Sequence, residues 1–532
     1  MNIIICLVAA LASAWVARYY LHMLQLESYQ LDGYIRWLKK NPDKHLGGTL
    51  TIGVAATIAY YVLWLLLRVF MKGGASSVVA GILTLIGFVL AAFMLDRRLH
   101  SQPEKKPIAY TPRMKRLYAC LCVIALAVAA IFTAIGVPAY ILFVGVPYLA
   151  LAAGGAMTPV EKAINDHYLN DARQKLEARP DLIKIGITGS YGKTSTKFIL
   201  ATILSEKYDV LATPASFNTP MGLTRVIRER LEDHHQVFIA EMGARHVGDI
   251  KELVELVHPT IGLLTSVGPQ HLETFGDVAT VANTKFELIE GLPQDGLAFF
   301  ASDGGEVDKL YARAKGKKFL TGTRGMRLDM KAEDIAVNQN GSVFTLKDGV
   351  TGEKVPCETK LLGRHNIGNI VLACCAARQL GLSMEEIARG VSKIEPVEHR
   401  LQLLPGANGM TVIDDAFNSN PVGAKAALDV LAAFPGRHVI VTPGMVEQGE
   451  REDEINRQFG AQMVGKADEV ILVGKKHTRP IAEGLMAAGM GPEHIYVTAS
   501  LEEATGVLGK IGQMGDVVLF ENDLPDNYNE DQ

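Results

Sequence analysis

The amino-acid sequence predicts a chain in three parts. These are an α-helical membrane domain over residues 1–160, a central α/β domain with a mainly parallel sheet and a phosphate-binding loop over 161–394, and a Rossmann-like C-terminal α/β domain over 395–532. Three observations carry this prediction. Apolar stretches long enough to cross a bilayer are confined to the first 160 residues. Beyond them, short apolar strands alternate with amphipathic helices. At Glu395-Pro396 the composition breaks and a second strand–helix series begins. A length of 532 residues leaves room for three domains.

In the first part, uncharged stretches run from Asn2 to Ala17, Gly47 to Leu67, Gly73 to Leu95 and Leu117 to Val160. About 20 apolar residues span a bilayer, so the last stretch is long enough for two crossings. Gly136-Val137-Pro138 supplies a hairpin between them, and Pro147 is expected to kink the fifth span or make it re-entrant. With the N-terminus outside, the inner loops, residues 23–46 and 96–116, hold Arg36, Lys39, Lys40, Lys44, Arg97, Arg98, Lys105, Lys106, Arg113, Lys115 and Arg116. The outer loops hold only Arg68 and Lys72. This asymmetry places everything after residue 160 in the cytoplasm. Ala12-Ser13-Ala14 mimics a signal-peptidase site, but no basic segment precedes it, so a retained span is expected.

The net charge of −4 and the lack of basic runs interleaved with aromatics argue against a nucleic-acid partner. The six cysteines show no C-x-x-C spacing, and they read as small core residues, not a disulfide framework or a metal site.

Thr158 to Glu177 reads as a juxtamembrane helix. After it come strands at 183–188, 236–241 and 261–266 with helices at 193–206 and 248–257, an alternation that points to a parallel sheet covered on both faces. The C-terminal series places strands near 410–414, 437–442, 469–473 and 516–520, and the acidic tail from Glu521 to Gln532 is expected to fray. Between the first strand and helix lies Thr188-Gly-Ser-Tyr-Gly-Lys-Thr-Ser195. Gly189 and Gly192 allow a turn tight enough to aim N–H groups at a polyphosphate. Lys193 and Thr194 open a helix whose N-terminus favours the same charge. Ile187 stands where the full G-x-x-x-x-G-K-[ST] pattern has glycine. The expected ligand is a nucleoside triphosphate, ATP. Glu241, at the end of its strand, emerges beside the loop, where its carboxylate and the Thr194 hydroxyl suit Mg²⁺.

Further segments follow in order: Glu241-Met-Gly-Ala-Arg-His246, Thr265-Ser-Val-Gly-Pro-Gln-His-Leu-Glu273, Lys285, Gly363-Arg-His-Asn-Ile-Gly-Asn369, Glu395-Pro-Val-Glu-His-Arg400, Asp414-Asp-Ala-Phe-Asn-Ser-Asn-Pro421 and Pro443-Gly-Met-Val-Glu-Gln-Gly449. Together with the loop they resemble the Mur ligases, within them most closely the branch that adds D-alanyl-D-alanine to a UDP-linked muramyl tripeptide. The resemblance covers 183 to about 460. It implies ATP and Mg²⁺, with Gly189, Ser190, Gly192, Lys193, Thr194 and Ser195 around the phosphates, and Thr194, Glu241 and His271 as metal-holding groups. It implies that Lys193, His271 and a carbamylated Lys285 serve catalysis, and that Asn366 and Asn369 lie near the adenine. Arg400, Asp415 and Asn418 would close over the nucleotide from the C-terminal domain. Asn366 also fits a helix N-cap. The implied reaction makes an acyl phosphate from a carboxylate and lets an amine displace the phosphate.

Three departures shape the expectation. Membrane spans stand where the family carries its UDP-sugar domain. Leu519-Phe-Glu-Asn-Asp-Leu-Pro-Asp-Asn527 replaces a Lys-Gly-Ser signature, and His399 replaces a glycine before the arginine. The expected protein is a multi-pass ligase of the bacterial cytoplasmic membrane acting on a cell-wall precursor, with an amino acid or dipeptide as acceptor. Its donor is either a soluble muramyl peptide or a lipid-linked one, and a membrane partner protein is a further possibility. Two other readings are a γ-glutamyl polymer synthetase and an ATP-dependent gating module for transport.

Overall fold

The computed structural model describes residues 2–70, 75–100, 107–215, 217–270, 272–325, 327–417, 419–446 and 451–523. The chain divides into two compact units, Met1–His167 and Tyr168–Gln532.

The first unit is helical. Among the described residues, five helices are long and apolar enough to cross a membrane by length and composition: Ile3–Leu26, Gly48–Leu67, Val78–Leu99, Pro112–Ala134 and Leu142–Glu177. The first runs past Ala17 and carries Arg18 and His22 inside it. The last is a single helix, so the juxtamembrane segment continues the fifth apolar stretch. Pro147 and Pro159 lie inside it. The loop between the first two long helices holds an extra helix, Leu31–Lys40, on which Tyr34 is buried and donates to the Pro147 carbonyl at 2.9 Å. Midway along the helix Leu142–Glu177, Glu161 is buried and accepts Arg116 Nε and Nη2 at 2.7 and 2.8 Å.

The second unit contains two sheets. Strands β1 (Ile183–Thr188), β2 (Val210–Ala212), β3 (Val237–Glu241), β4 (Ile261–Leu264), β5 (Leu297–Ala301), β6 (Lys317–Gly322), β7 (Met330–Asn338), β8 (Gly341–Asp348) and β9 (Lys354–Thr359) form the larger one, ordered β2-β3-β1-β4-β5-β6-β7-β8-β9. It is parallel through β7 and antiparallel from β7 to β9. The parallel part is sealed on both faces, as strand alternation requires. Ile185, Ile187, Val237 and Ile239 meet the helices Lys193–Leu204 and Arg364–Gln379 on one side. Phe238, Ala240 and Leu264 meet Ile250, Leu253 and Phe286 on the other. Truncating one such isoleucine to alanine costs about 2–5 kcal/mol. Cys374 and Cys375 are buried in this core.

The smaller sheet comprises β10 (Gln402–Pro405), β11 (Thr411–Asp415), β12 (His438–Thr442), β13 (Glu469–Val473), β14 (Ile495–Thr498) and β15 (Val517–Glu521), ordered β10-β11-β15-β12-β13-β14. It is parallel except for β10. The last strand of the chain therefore sits in the middle of the sheet. Glu521 is accordingly a buried strand end and not the start of a frayed tail; residues 524–532 lie outside the described residues.

Candidate active site

Two backbone positions shape the loop after β1. Gly189 has φ +150°, and a Cβ there would lie 2.1 Å from the Thr265 hydroxyl. Gly192 has φ +80°, and a Cβ there would lie 2.7 Å from Asn369 Oδ1. Both need glycine. The Ser190 N–H donates to the Ser266 carbonyl at 2.9 Å, and the Tyr191 N–H to the Ser266 hydroxyl at 2.8 Å. The Ser190 hydroxyl bonds the Gly268 carbonyl at 3.1 Å. The loop is thus tied to the segment after β4. The N–H groups facing outward belong to the first helical turn, Lys193 to Ser195, which have no partner within the helix. Lys193 Nζ folds back onto the Gly189 and Ser190 carbonyls at 2.7 and 3.1 Å. Water still reaches its side chain, yet protein surrounds it on most sides, and this desolvation lowers its pKa to about 8.

Glu241 ends β3 and is buried. Parallel pairing sets it beside Ile187 in β1, directly before the loop. Its Oε1 accepts the Thr194 hydroxyl and Asn218 Nδ2, each at 3.1 Å, and its Oε2 accepts Lys197 Nζ at 3.0 Å. Lys197 and Asn218 were not foreseen from the sequence. Lys197 lies one helical turn beyond Lys193, a spacing that puts both on one face. Lys285 is buried in the helix Val278–Glu290, and desolvation together with the Lys193 charge lowers its pKa to about 7. Its amine has no hydrogen bond among the described residues.

Asn366 and Asn369 lie three apart in the first two turns of Arg364–Gln379, with Asn369 Nδ2 3.4 Å from Asn366 Oδ1. Gly363 is the N-cap of that helix, so the N-cap reading of Asn366 does not hold. Asn366 donates instead to the Leu362 carbonyl at 2.8 Å, while Asn369 packs against the loop at Gly192. From the other domain, the Arg400 guanidinium lies 4.5 Å from the Phe417 ring centroid, and Asp415 accepts the Leu401 N–H at 3.2 Å. Arg400 feels the charges of Asp415 and Glu241, and Lys193 feels Arg400. Residues on both sides of the domain break therefore share one electrostatic neighbourhood. Ser195 lies beside these groups in the first helical turn. His271 and Asn418 lie outside the described residues.

His399, in the position expected to hold glycine, has φ +57°, a region that favours glycine. Its Nδ1 lies 2.7 Å from Asp414 Oδ2, a contact that helps hold that conformation. The acid replacing the basic signature is also accounted for. Glu521 is buried between Ser419, whose hydroxyl it accepts, and Thr442, whose hydroxyl it accepts at 3.2 Å. Burial raises its pKa to about 8. Asn522 follows with φ +67° and accepts the Ser419 N–H at 2.9 Å.

Among the described residues no three acidic, histidine or cysteine side chains converge. The oxygen pair of Thr194 and Glu241 at the loop fits Mg²⁺, which takes one or two protein oxygens and completes its shell with phosphates and water.

The Mur ligase middle-domain family matches residues 187–377, and the Mur ligase glutamate-ligase domain family matches 399–521. The UDP-N-acetylmuramoyl-tripeptide–D-alanyl-D-alanine ligase of Bacillus subtilis (strain 168) is 30% identical over 340 residues, covering 63% of this chain and 72% of that one. Its counterpart in Escherichia coli (strain K12) is 32% identical over 316 residues, covering 59% and 68%. The crystal structure of MurF ligase from Thermotoga maritima in complex with ADP superposes with a TM-score of 0.61 at 25% identity, covering 68% of this chain and 81% of that one. With this fold, this loop and these matches, the chain belongs to the Mur ligase family of amide ligases, which use ATP and Mg²⁺.

Proposed function

We propose that this Mur ligase of peptidoglycan synthesis is held in the cytoplasmic membrane by its five N-terminal helices, with both α/β domains on the cytoplasmic side. It joins the carboxylate of a muramyl-peptide precursor to the amine of an amino acid or dipeptide. The acceptor named for the B. subtilis and E. coli relatives, D-alanyl-D-alanine, is the first candidate. The observation that carries the reading is the meeting of Lys193, Thr194 and Glu241 at the loop with Arg400 and Asp415 from the C-terminal domain. The five apolar helices and the basic inner loops support the membrane anchoring.

In this reading Lys193 and the turn from Gly189 to Ser195 bind the phosphates of ATP, a substrate of the reaction. Thr194, Glu241 and His271 hold Mg²⁺, which when bound neutralises phosphate charge. The γ-phosphoryl group passes to the donor carboxylate. The acceptor amine then attacks the acyl carbon, forming the C–N bond, breaking the C–O bond to phosphate and giving up a proton. Lys193 and Arg400 stabilise charge on the transferring phosphoryl group. Asn366 and Asn369 face the adenine, while Arg400, Asp415 and Asn418 complete the site when the domains close. A buried lysine with a pKa of about 7 and no ion pair among the described residues has enough neutral amine near pH 7 to add CO₂, so Lys285 acts as a carbamate.

The test is phosphate release by the full-length protein in lipid nanodiscs. UDP-muramyl-tripeptide plus D-alanyl-D-alanine is compared with polyprenyl-linked muramyl peptides plus a panel of amino acids. We expect stimulation only when a carboxyl donor and an amine are both present. Stimulation confined to the lipid-linked donor assigns the helices a part in substrate binding, and stimulation by the soluble pair makes them an anchor. ATP turnover indifferent to both substrates would overturn the proposal.

A further inference from the structure

Lys197 and Glu241 form a pair with almost no solvent contact, their side chains 0% and 1% exposed. Burying two charges is costly, and the arrangement that repays it here is specific. Lys197 Nζ is held from one side by Glu241 Oε2 and from the other by the Ala215 carbonyl. Glu241 Oε1 is left to Thr194 and Asn218, and so is turned toward the phosphate-binding loop. The carboxylate cannot rotate without breaking the bond to Lys197. Its charge is also outnumbered. Lys193 and Arg400 both feel Glu241, and Asp415 is the second carboxylate acting on Arg400, so three cations share two carboxylates. Such a site repels a lone divalent cation and attracts a polyanion.

We infer that Lys197 is a positioning residue that balances the charge of Glu241 until nucleotide arrives, so that the divalent cation enters with the polyphosphate and not ahead of it. This rests on Thr194 and Glu241 being the cation-holding pair. The phosphates bring the negative charge that tips the balance, while Lys197 keeps Oε1 aimed at the loop.

The experiment is a Mn²⁺ titration of the full-length protein followed by electron paramagnetic resonance, with and without a non-hydrolysable ATP analogue. Wild type should bind Mn²⁺ at least tenfold more tightly with the analogue than is explained by the analogue's own affinity for Mn²⁺, and negligibly without it. Lys197→Gln should bind Mn²⁺ alone at least tenfold more tightly than wild type, and Mn²⁺ alone should raise its thermal midpoint. Lys197→Arg should restore wild-type behaviour. Wild type binding Mn²⁺ equally well without nucleotide would overturn the inference, and this arm decides even if Lys197→Gln fails to fold. A folded Lys197→Gln variant that behaves as wild type would overturn it too, leaving the cation-site reading standing if Glu241→Gln abolishes nucleotide-dependent binding. Unchanged Mn²⁺ binding in Glu241→Gln would instead sink the cation-site reading and the inference together.

Discussion

Nucleotide binding should draw a proton from solution, and the amount should follow the state of Lys193. Its pKa in the free protein is about 8, lowered by desolvation. About a tenth of these amines are therefore neutral at pH 7, about half at pH 8 and about nine-tenths at pH 9. A polyphosphate seated on the loop favours the ammonium form and returns the pKa to the ordinary lysine range or above. Proton uptake per nucleotide should thus climb from about 0.1 to about 0.9 between pH 7 and pH 9, and the affinity should fall about tenfold over the same interval, about 1.4 kcal/mol. Isothermal titration calorimetry in HEPES and Tris at saturating Mg²⁺ reads the uptake as the slope of observed enthalpy against buffer ionisation enthalpy. Repeating it with Lys285→Met removes the second perturbed lysine, whose pKa of about 7 adds uptake at the lower end. Proton release, or an uptake that does not change with pH in that variant, would refute the assignment of Lys193 to the phosphates.

Glu521→Gln should stabilise the protein at pH 8.5 by several degrees in Tm and have little effect at pH 5. The folded-state pKa, about 8, lies above the ordinary carboxyl value, so the folded state holds the extra proton and the wild-type stabilisation is lost as pH rises through that window. Differential scanning fluorimetry across pH checks this, and an equal gain at both pH values would contradict it. Lys285→Gln should lower kcat at least 100-fold while leaving nucleotide affinity within a few-fold. Added acetate or formate, placing a carboxylate in the vacated space, should recover part of the rate. Failure of every small carboxylate to do so in a folded variant would argue against the carbamate.

The sequence by itself determined the long apolar helices, the strand–helix alternation after them and the glycine-shaped loop between β1 and its helix. Ile183, Ile185 and Ile187 alternate with inward spacing, and Glu241 closes an apolar run, so strand identity and the place of the acid follow from local periodicity. The glycines of the loop were readable because only glycine tolerates the φ values found at positions 189 and 192. The antiparallel extension β7–β9 was not read, because its half-exposed strands carry no continuous apolar run. Only the tertiary structure decided the fate of three charged residues. Lys197 has the spacing of a helix-face lysine, and it is buried where the Ala215 carbonyl and Glu241, from elsewhere in the chain, meet its amine. Glu521 has the look of a solvated tail acid, and it is buried because β15 inserts between β11 and β12, which are distant from it in the chain. Lys285 becomes an amine with a pKa of about 7 because burial desolvates it and Lys193 lies close by, against the smaller opposing pull of Asp249 and Glu287. Periodicity reports which face a residue occupies. What covers that face is set by pairings between segments far apart in sequence, and desolvation energy, on which the chemistry of a charged group depends, comes from that cover.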